Sequence, residues 1–114
     1  MLSRTPNLPV REAAPLFAAL GDDVRLTLVA RLSKGVPLSI TQLSDKLPIT
    51  RQAVTKHLHV LASAGLVRGE KTGREQLWEL DGQSLDQAQH YLDIIKRQWG
   101  DALLRLKHLV EEDR

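Results

Sequence analysis

The sequence predicts a mainly α-helical chain with one small β-hairpin and a long terminal helix, and three observations predict it. Two cap signals, at Ser39 and Thr50, open helices separated by only a few residues around Pro48. Two strand-length segments follow, Leu66 to Lys71 and Glu75 to Leu80, joined around Thr72-Gly73-Arg74. From Gln83 to Glu112 there is no proline and a sustained seven-residue apolar repeat.

The elements follow in order. The polar stretch to Arg11, with Pro6 and Pro9, reads as a loose arm. A short helix is expected from Glu12 to Leu20, with Pro15 near its first turn and Gly21 as its stop. Asp22 caps a second helix to about Lys34, where Val24, Leu28 and Leu32 recur at helical spacing before Gly35. Ser39-Ile40-Thr41-Gln42 is a capping box opening a helix through Leu47, which Pro48 stops. Thr50 caps the next, Arg51 to about Ala64, closed by Gly65, which completes the outline of a helix-turn-helix. The terminal helix runs from Gln83 to about Glu112, with Gly100 the one glycine at which it could bend or loosen. Three divisions result: an arm over 1–11, a compact unit over 12–82 and the terminal helix over 83–114.

A chain of 114 residues has room for one core. With 42% hydrophobic and 26% charged residues its composition is that of an ordinary globular protein. No apolar run reaches the roughly 18 to 20 residues of a membrane crossing, so a cytoplasmic location and no membrane partner are expected. The absence of cysteine excludes disulfides, thiolate metal sites and thiol nucleophiles. Charge is concentrated: between Lys46 and Arg74 six basic residues face the lone Glu70, a local +5 in a chain of net +2, so the rest sums to −3. Such a local surplus suits a phosphate-bearing partner.

Projecting Arg51 to Ala64 at about 100° per residue gives two faces. Ala53, Val54, His57, Leu58 and Leu61 share an inner arc, which assigns His57 a structural place, while Gln52, Thr55, Lys56 and His59 point outward. On the terminal helix, Leu85, Leu92, Trp99 and Leu106 recur every seven residues, as do Ala88, Ile95, Ala102 and Leu109, and Tyr91, Leu103, Leu104 and Val110 widen the seam. So much apolar surface exceeds what a hairpin and a few short helices can cover, and a second copy is the expected occupant.

The order helix, helix, helix-turn-helix, basic hairpin, terminal helix is the winged-helix plan. Leu20-Gly21-Asp22-Asp23-Val24-Arg25, followed by RQAVTKHLHVLASAGLVRGEKTGREQLWEL (Arg51 to Leu80), resembles the ArsR/SmtB family of bacterial transcriptional regulators. The resemblance covers roughly Phe17 to Leu80, is most specific from Val54 to Val67, and extends to a terminal RQWGDALLRLKHLVEE (Arg97 to Glu112) like that of cysteine-free regulators. It implies a homodimer that binds double-stranded DNA, and occlusion of a promoter as a repressor. The chemistry of the residues agrees. An α-helix fits the major groove, where Gln bonds adenine and Lys bonds guanine acceptors, so Gln52, Thr55, Lys56 and His59 are the candidates for base edges. Arg51, at the helix N-terminus, and Arg68, Lys71 and Arg74 of the hairpin are the candidates for phosphate.

Family members sense metal through Cys-Val-Cys in the first helix of the helix-turn-helix; Ser39-Ile40-Thr41 stands there instead. A second family site uses Asp, His and Glu on terminal helices. Asp86, His90, His108, Glu111 and Glu112 are the comparable residues, at a spacing that departs from the pattern, so neither metal nor cofactor is expected. No phosphate-cradling glycine loop, thiol or glycine-flanked serine points to an enzyme, and His57 and His59 project about 200° apart. The alternative reading is a protein-interaction module whose apolar terminal helix binds a different protein. The operator and any effector are not written in the sequence.

Overall fold

The computed structural model describes residues 9–112. Its elements are α1 (Val10–Leu20), α2 (Asp23–Leu32), β1 (Leu38–Ser39), α3 (Ile40–Ser44), α4 (Arg51–Ser63), β2 (Val67–Thr72), β3 (Glu75–Leu80) and α5 (Gly82–Glu112). The strands form one antiparallel sheet in the order β1-β3-β2. This is the mainly helical plan with a hairpin that the sequence predicts, enlarged by one short strand.

Most of the arm expected over 1–11 lies outside the described residues; Val10 and Arg11 are already helical. The Pro9 carbonyl accepts the Ala13 N–H at 2.9 Å and starts the helix two residues early. Pro15 therefore sits inside α1 rather than in its first turn, where it withholds the N–H that would reach the Arg11 carbonyl. Burial of Ala13, Leu16 and Ala19 on the inner face of α1 offsets that loss.

The three side-chain caps form as expected. Asp22 accepts the Arg25 N–H at 2.9 Å. Ser39 Oγ accepts the Gln42 N–H at 3.2 Å while Gln42 Oε1 accepts the Ser39 N–H at 2.9 Å, the reciprocal box. Thr50 accepts the Ala53 N–H at 3.0 Å. The C-termini of α2 and α3 come earlier than expected. α2 stops at Leu32, and α3 stops at Ser44 rather than Leu47, because Asp45 leaves the helical region at ψ 128° and Lys46 follows at a left-handed φ of 61°. Arg31 Nη1 donates to the Leu43 and Asp45 carbonyls at 2.7 and 2.6 Å, fastening that early end to α2.

α4 ends in a Schellman motif. The Leu66 N–H reaches the Leu61 carbonyl and the Gly65 N–H the Ala62 carbonyl, both at 2.9 Å, with Gly65 at φ 79°. Leu61 and Leu66, which meet in this motif, are fully buried with Leu28, Leu43, Val54 and Leu58 in the core. The hairpin pairs Val67 with Leu80 through Thr72 with Glu75, and Gly73, at φ 66°, opens its two-residue loop as a II′ turn requires. β1 adds Leu38 and Ser39 opposite Trp78 and Leu77.

α5 runs as one helix through Gly100, as expected. Its first half lies on α1, with Ala88 and Ile94 buried and Tyr91 tilted against Phe17 at 5.8 Å between ring centres. Its second half leaves the body. The molecule measures 70 × 32 × 21 Å with a radius of gyration of 19.6 Å, against roughly 13 Å for a compact chain of this length.

Candidate nucleic-acid interface

The site is built on α4. Val54, Leu58 and Leu61 anchor its inner face in the core with no exposure at all, which fixes the opposite face toward solvent. Arg51, Gln52 and Lys56 are exposed there, and among the described residues no side-chain hydrogen bond within the chain engages them. They are free to meet an external partner. Thr55 is half-buried, and its hydroxyl donates to the Arg51 carbonyl at 3.0 Å, leaving its oxygen as an acceptor.

His59 is exposed but not free-standing. Its ring lies 5.9 Å from that of Trp78, tilted by 47°, so it also packs α4 against β3. Trp78 is itself buried, and its ring fits because Gly69 stands opposite it: a Cβ at Gly69 would come within 3.1 Å of that ring.

On the hairpin the basic residues divide. Lys71, near the end of β2, and Arg74, in the turn, are exposed. Arg68 is not an open cation, because Nε donates to Glu79 Oε1 at 2.8 Å across the register pair of β2 and β3. That hydrogen bond and the Glu79 charge hold the guanidinium above its ordinary pKa. The structure therefore places Arg51, Gln52, Lys56, Lys71 and Arg74 as exposed groups with no side-chain partner among the described residues and ties Arg68 to the sheet.

Two features escape a sequence reading. His57 is inward-facing as expected, but Nδ1 receives Arg25 Nη1 at 3.2 Å and lies 3.8 Å from Asp22 Oδ2, a contact between residues distant in the chain. Ile94, not Ile95, is the buried isoleucine of α5; Ile95 is 39% exposed. Of the seam residues, Leu85 packs partly against the core and Ala102 is half-buried, while Leu92, Trp99, Leu106 and Leu109 are more than half exposed. Asp86 and His90 line a cavity of about 410 Å³ between α1 and α5, together with Glu12 and Leu16. His108, Glu111 and Glu112 are exposed at the far end of α5. Among the described residues no three His, Asp or Glu side chains converge as metal ligands, and no helix is long and apolar enough to cross a membrane.

Comparisons with known proteins converge on one family. A helix-turn-helix domain family matches residues 20–70. The HTH-type transcriptional regulator Rv2034 of Mycobacterium tuberculosis is 36% identical over 85% of this chain and 87% of its own. The HTH-type transcriptional repressor SmtB of the same organism is 34% identical over 86% of this chain and 73% of its own. The solved ArsR-like transcriptional regulator from Rhodococcus sp. RHA1 superimposes with a TM-score of 0.75 at 34% identity, covering 87% of this chain and 92% of that one. The similarity spans the caps, α4 and the hairpin alike, and the chain belongs to the ArsR/SmtB family of winged helix-turn-helix transcriptional regulators, DNA-binding proteins and not enzymes.

Proposed function

We propose that this regulator is a homodimeric repressor that occludes a promoter, with α4 in the major groove and the hairpin beside it. The observation that carries the reading is the division of α4: an inner face with zero exposure at Val54, Leu58 and Leu61, and an outer face offering Arg51, Gln52 and Lys56 unpaired among the described residues. Gln52 and Lys56, with Thr55 and His59 beside them, are the groups for base edges; Arg51, Lys71 and Arg74 are the groups for phosphate. Arg68 takes a lesser part, since its charge is balanced by Glu79.

The dimer rests on α5. Trp99, Leu103, Leu106 and Val110 are 46–64% exposed along one stripe of a helix that projects from the body. A second copy offers the same stripe, which satisfies the self-complementarity that a two-fold interface requires. Two copies would present two α4 helices to half-sites about 34 Å apart. A repressor among the relatives favours occlusion over activation.

DNase footprinting on the DNA upstream of the protein's own gene tests the reading. Protection of an imperfect palindrome overlapping the promoter, with affinity that falls steeply as salt is raised, is the expected result. Absence of protection, with stable capture of a heterologous protein by α5, would favour the interaction-module alternative.

A further inference from the structure

Arg25 joins three elements through one side chain. Its Nε donates to the Ala19 carbonyl at 2.6 Å and Nη2 to the Ala18 carbonyl at 3.4 Å, at the end of α1, where helix carbonyls lack partners of their own. Its backbone N–H is held by Asp22, the N-cap of α2, at 2.9 Å. Its Nη1 meets His57 Nδ1 on α4 at 3.2 Å. A guanidinium only donates, so His57 Nδ1 must accept and the imidazole proton must sit on Nε2.

We infer that Arg25 is a positioning residue for DNA recognition, holding α4 through the neutral ring of His57 and releasing it when that ring gains a proton. The inference rests on the DNA-binding reading above. His57 shares α4 with Gln52, Lys56 and His59 but faces inward, so the clamp fixes the helix without touching the partner. Small displacements of a reading helix degrade several contacts together. A ring protonated on Nδ1 has no lone pair for Nη1 and turns like charge toward it. Asp22 Oδ2, already 3.8 Å from that nitrogen, then takes the proton's charge in place of Arg25.

The charged groups that meet His57 are Asp22, at the α1–α2 junction, and Arg25, on α2. α1 contributes only the two carbonyls that hold Arg25. On α4 itself Lys56 is exposed; α3 carries no ionisable side chain, and among the described residues β2 brings no carboxylate within ion-pair distance of His57. A proton gained by His57 should therefore weaken DNA binding. His59 acts with the opposite sign, since a proton there adds positive charge to the outer face.

The test uses a duplex recovered by the wild-type protein from a random pool at pH 8, with fluorescence anisotropy at pH 8 and pH 6. All variants carry His59→Gln to remove the opposing titration. The His59→Gln protein should lose about fivefold in affinity between the two pH values, the equivalent of one net hydrogen bond. His57→Asn keeps an acceptor at the Nδ1 position that cannot take a proton, so it should bind comparably at pH 8 and lose the pH dependence. His57→Leu and Arg25→Lys, which lose the acceptor and the fork respectively, should bind about fivefold more weakly at pH 8 and also respond flatly to pH. Amide hydrogen exchange over Arg51–Ser63 should quicken in those two variants and stay at its background rate in His57→Asn. A His57→Asn protein with undiminished pH dependence overturns the inference, as does unchanged exchange in His57→Leu. If Arg25→Lys fails to fold, the two His57 variants decide. If the wild-type protein recovers no duplex, the DNA-binding reading fails, and exchange along α4 alone judges the clamp.

Discussion

Gln52 and Lys56 lie on the outer face of α4, whereas Lys71 and Arg74 lie on the hairpin, and the two pairs have different work in the proposed complex. Base-edge groups discriminate sequences and phosphate groups do not. Gln52→Ala or Lys56→Ala should cost about 1–3 kcal/mol at one position of the site and relax preference there. Lys71→Ala or Arg74→Ala should weaken all sequences alike and reduce the slope of log affinity against log salt by about 1. A set of single-base variants of the footprinted site, titrated at several salt concentrations, separates the two; equal loss of preference from both pairs would contradict the division. Asp22 supports a second residue-scale prediction. The backbone hydrogen bond from Arg25 holds its carboxyl below the ordinary value of 3.8, with the Arg25 charge assisting. A depressed carboxylate pKa stabilises the fold above its unfolded value and ceases to do so as pH falls through the folded value. Thermal melting should therefore show a loss of stability below about pH 4 that Asp22→Asn diminishes. An acid limb of the same size in the variant would show that Asp22 is not among the carboxylates that set it.

At the scale of elements, the helix starts were legible and several ends were not. Asp22, Ser39 with Gln42, and Thr50 each act on an N–H within three residues, so their pattern is complete in a short stretch of sequence. Gly65 and Gly73 are legible for a similar reason, because their left-handed backbone is a local demand. β1 is different: Leu38 and Ser39 become a strand only because β3 offers an edge opposite Trp78 and Leu77. The early stop of α3 depends on Arg31, twelve residues before Leu43, and on a left-handed Lys46 that no residue preference announces. Arg68 reads as a free cation until the hairpin register sets Glu79 beside it. The end of α4 allows a test of local energetics against contact. Gly65→Ala forces a left-handed alanine, a cost of roughly 1–2 kcal/mol. It also brings a Cβ to 3.0 Å from Ser84 Oγ. Gly35→Ala imposes a comparable backbone, φ 83°, with nothing within 4 Å of the new Cβ. Urea unfolding should show a larger loss for Gly65→Ala than for Gly35→Ala. Equal losses would mean that Ser84 yields freely and that only the dihedral matters.

The shape of the whole molecule is set by α5, whose 31 residues extend about 46 Å at 1.5 Å per residue. Its near half is part of the core, through Ala88 and the Tyr91 contact with Phe17. The heptad spacing marks an apolar stripe along α5 but does not distinguish which apolar residues of the near half belong to α1, and Ile94 is buried although it lies off the seam. Trp99 and Leu106 are 64% and 58% exposed, so within one chain they have little apolar contact to lose. Truncating them should leave the helix-turn-helix core folded, with an unfolding midpoint close to that of the wild-type monomer. In a dimer the same side chains would be covered, and a buried aromatic is a frequent anchor of an interface. Trp99→Ala/Leu106→Ala should therefore convert a dimer to a folded monomer at micromolar concentration. If half-site binding is weak alone, the conversion carries into DNA affinity: a loss of at least about tenfold on the palindrome, 1.4 kcal/mol or more, and little change on an isolated half-site. Light scattering and gel shift on the same preparation decide the matter. A variant that stays dimeric and keeps full affinity would place the interface on another face and leave the exposed stripe of α5 to a different partner.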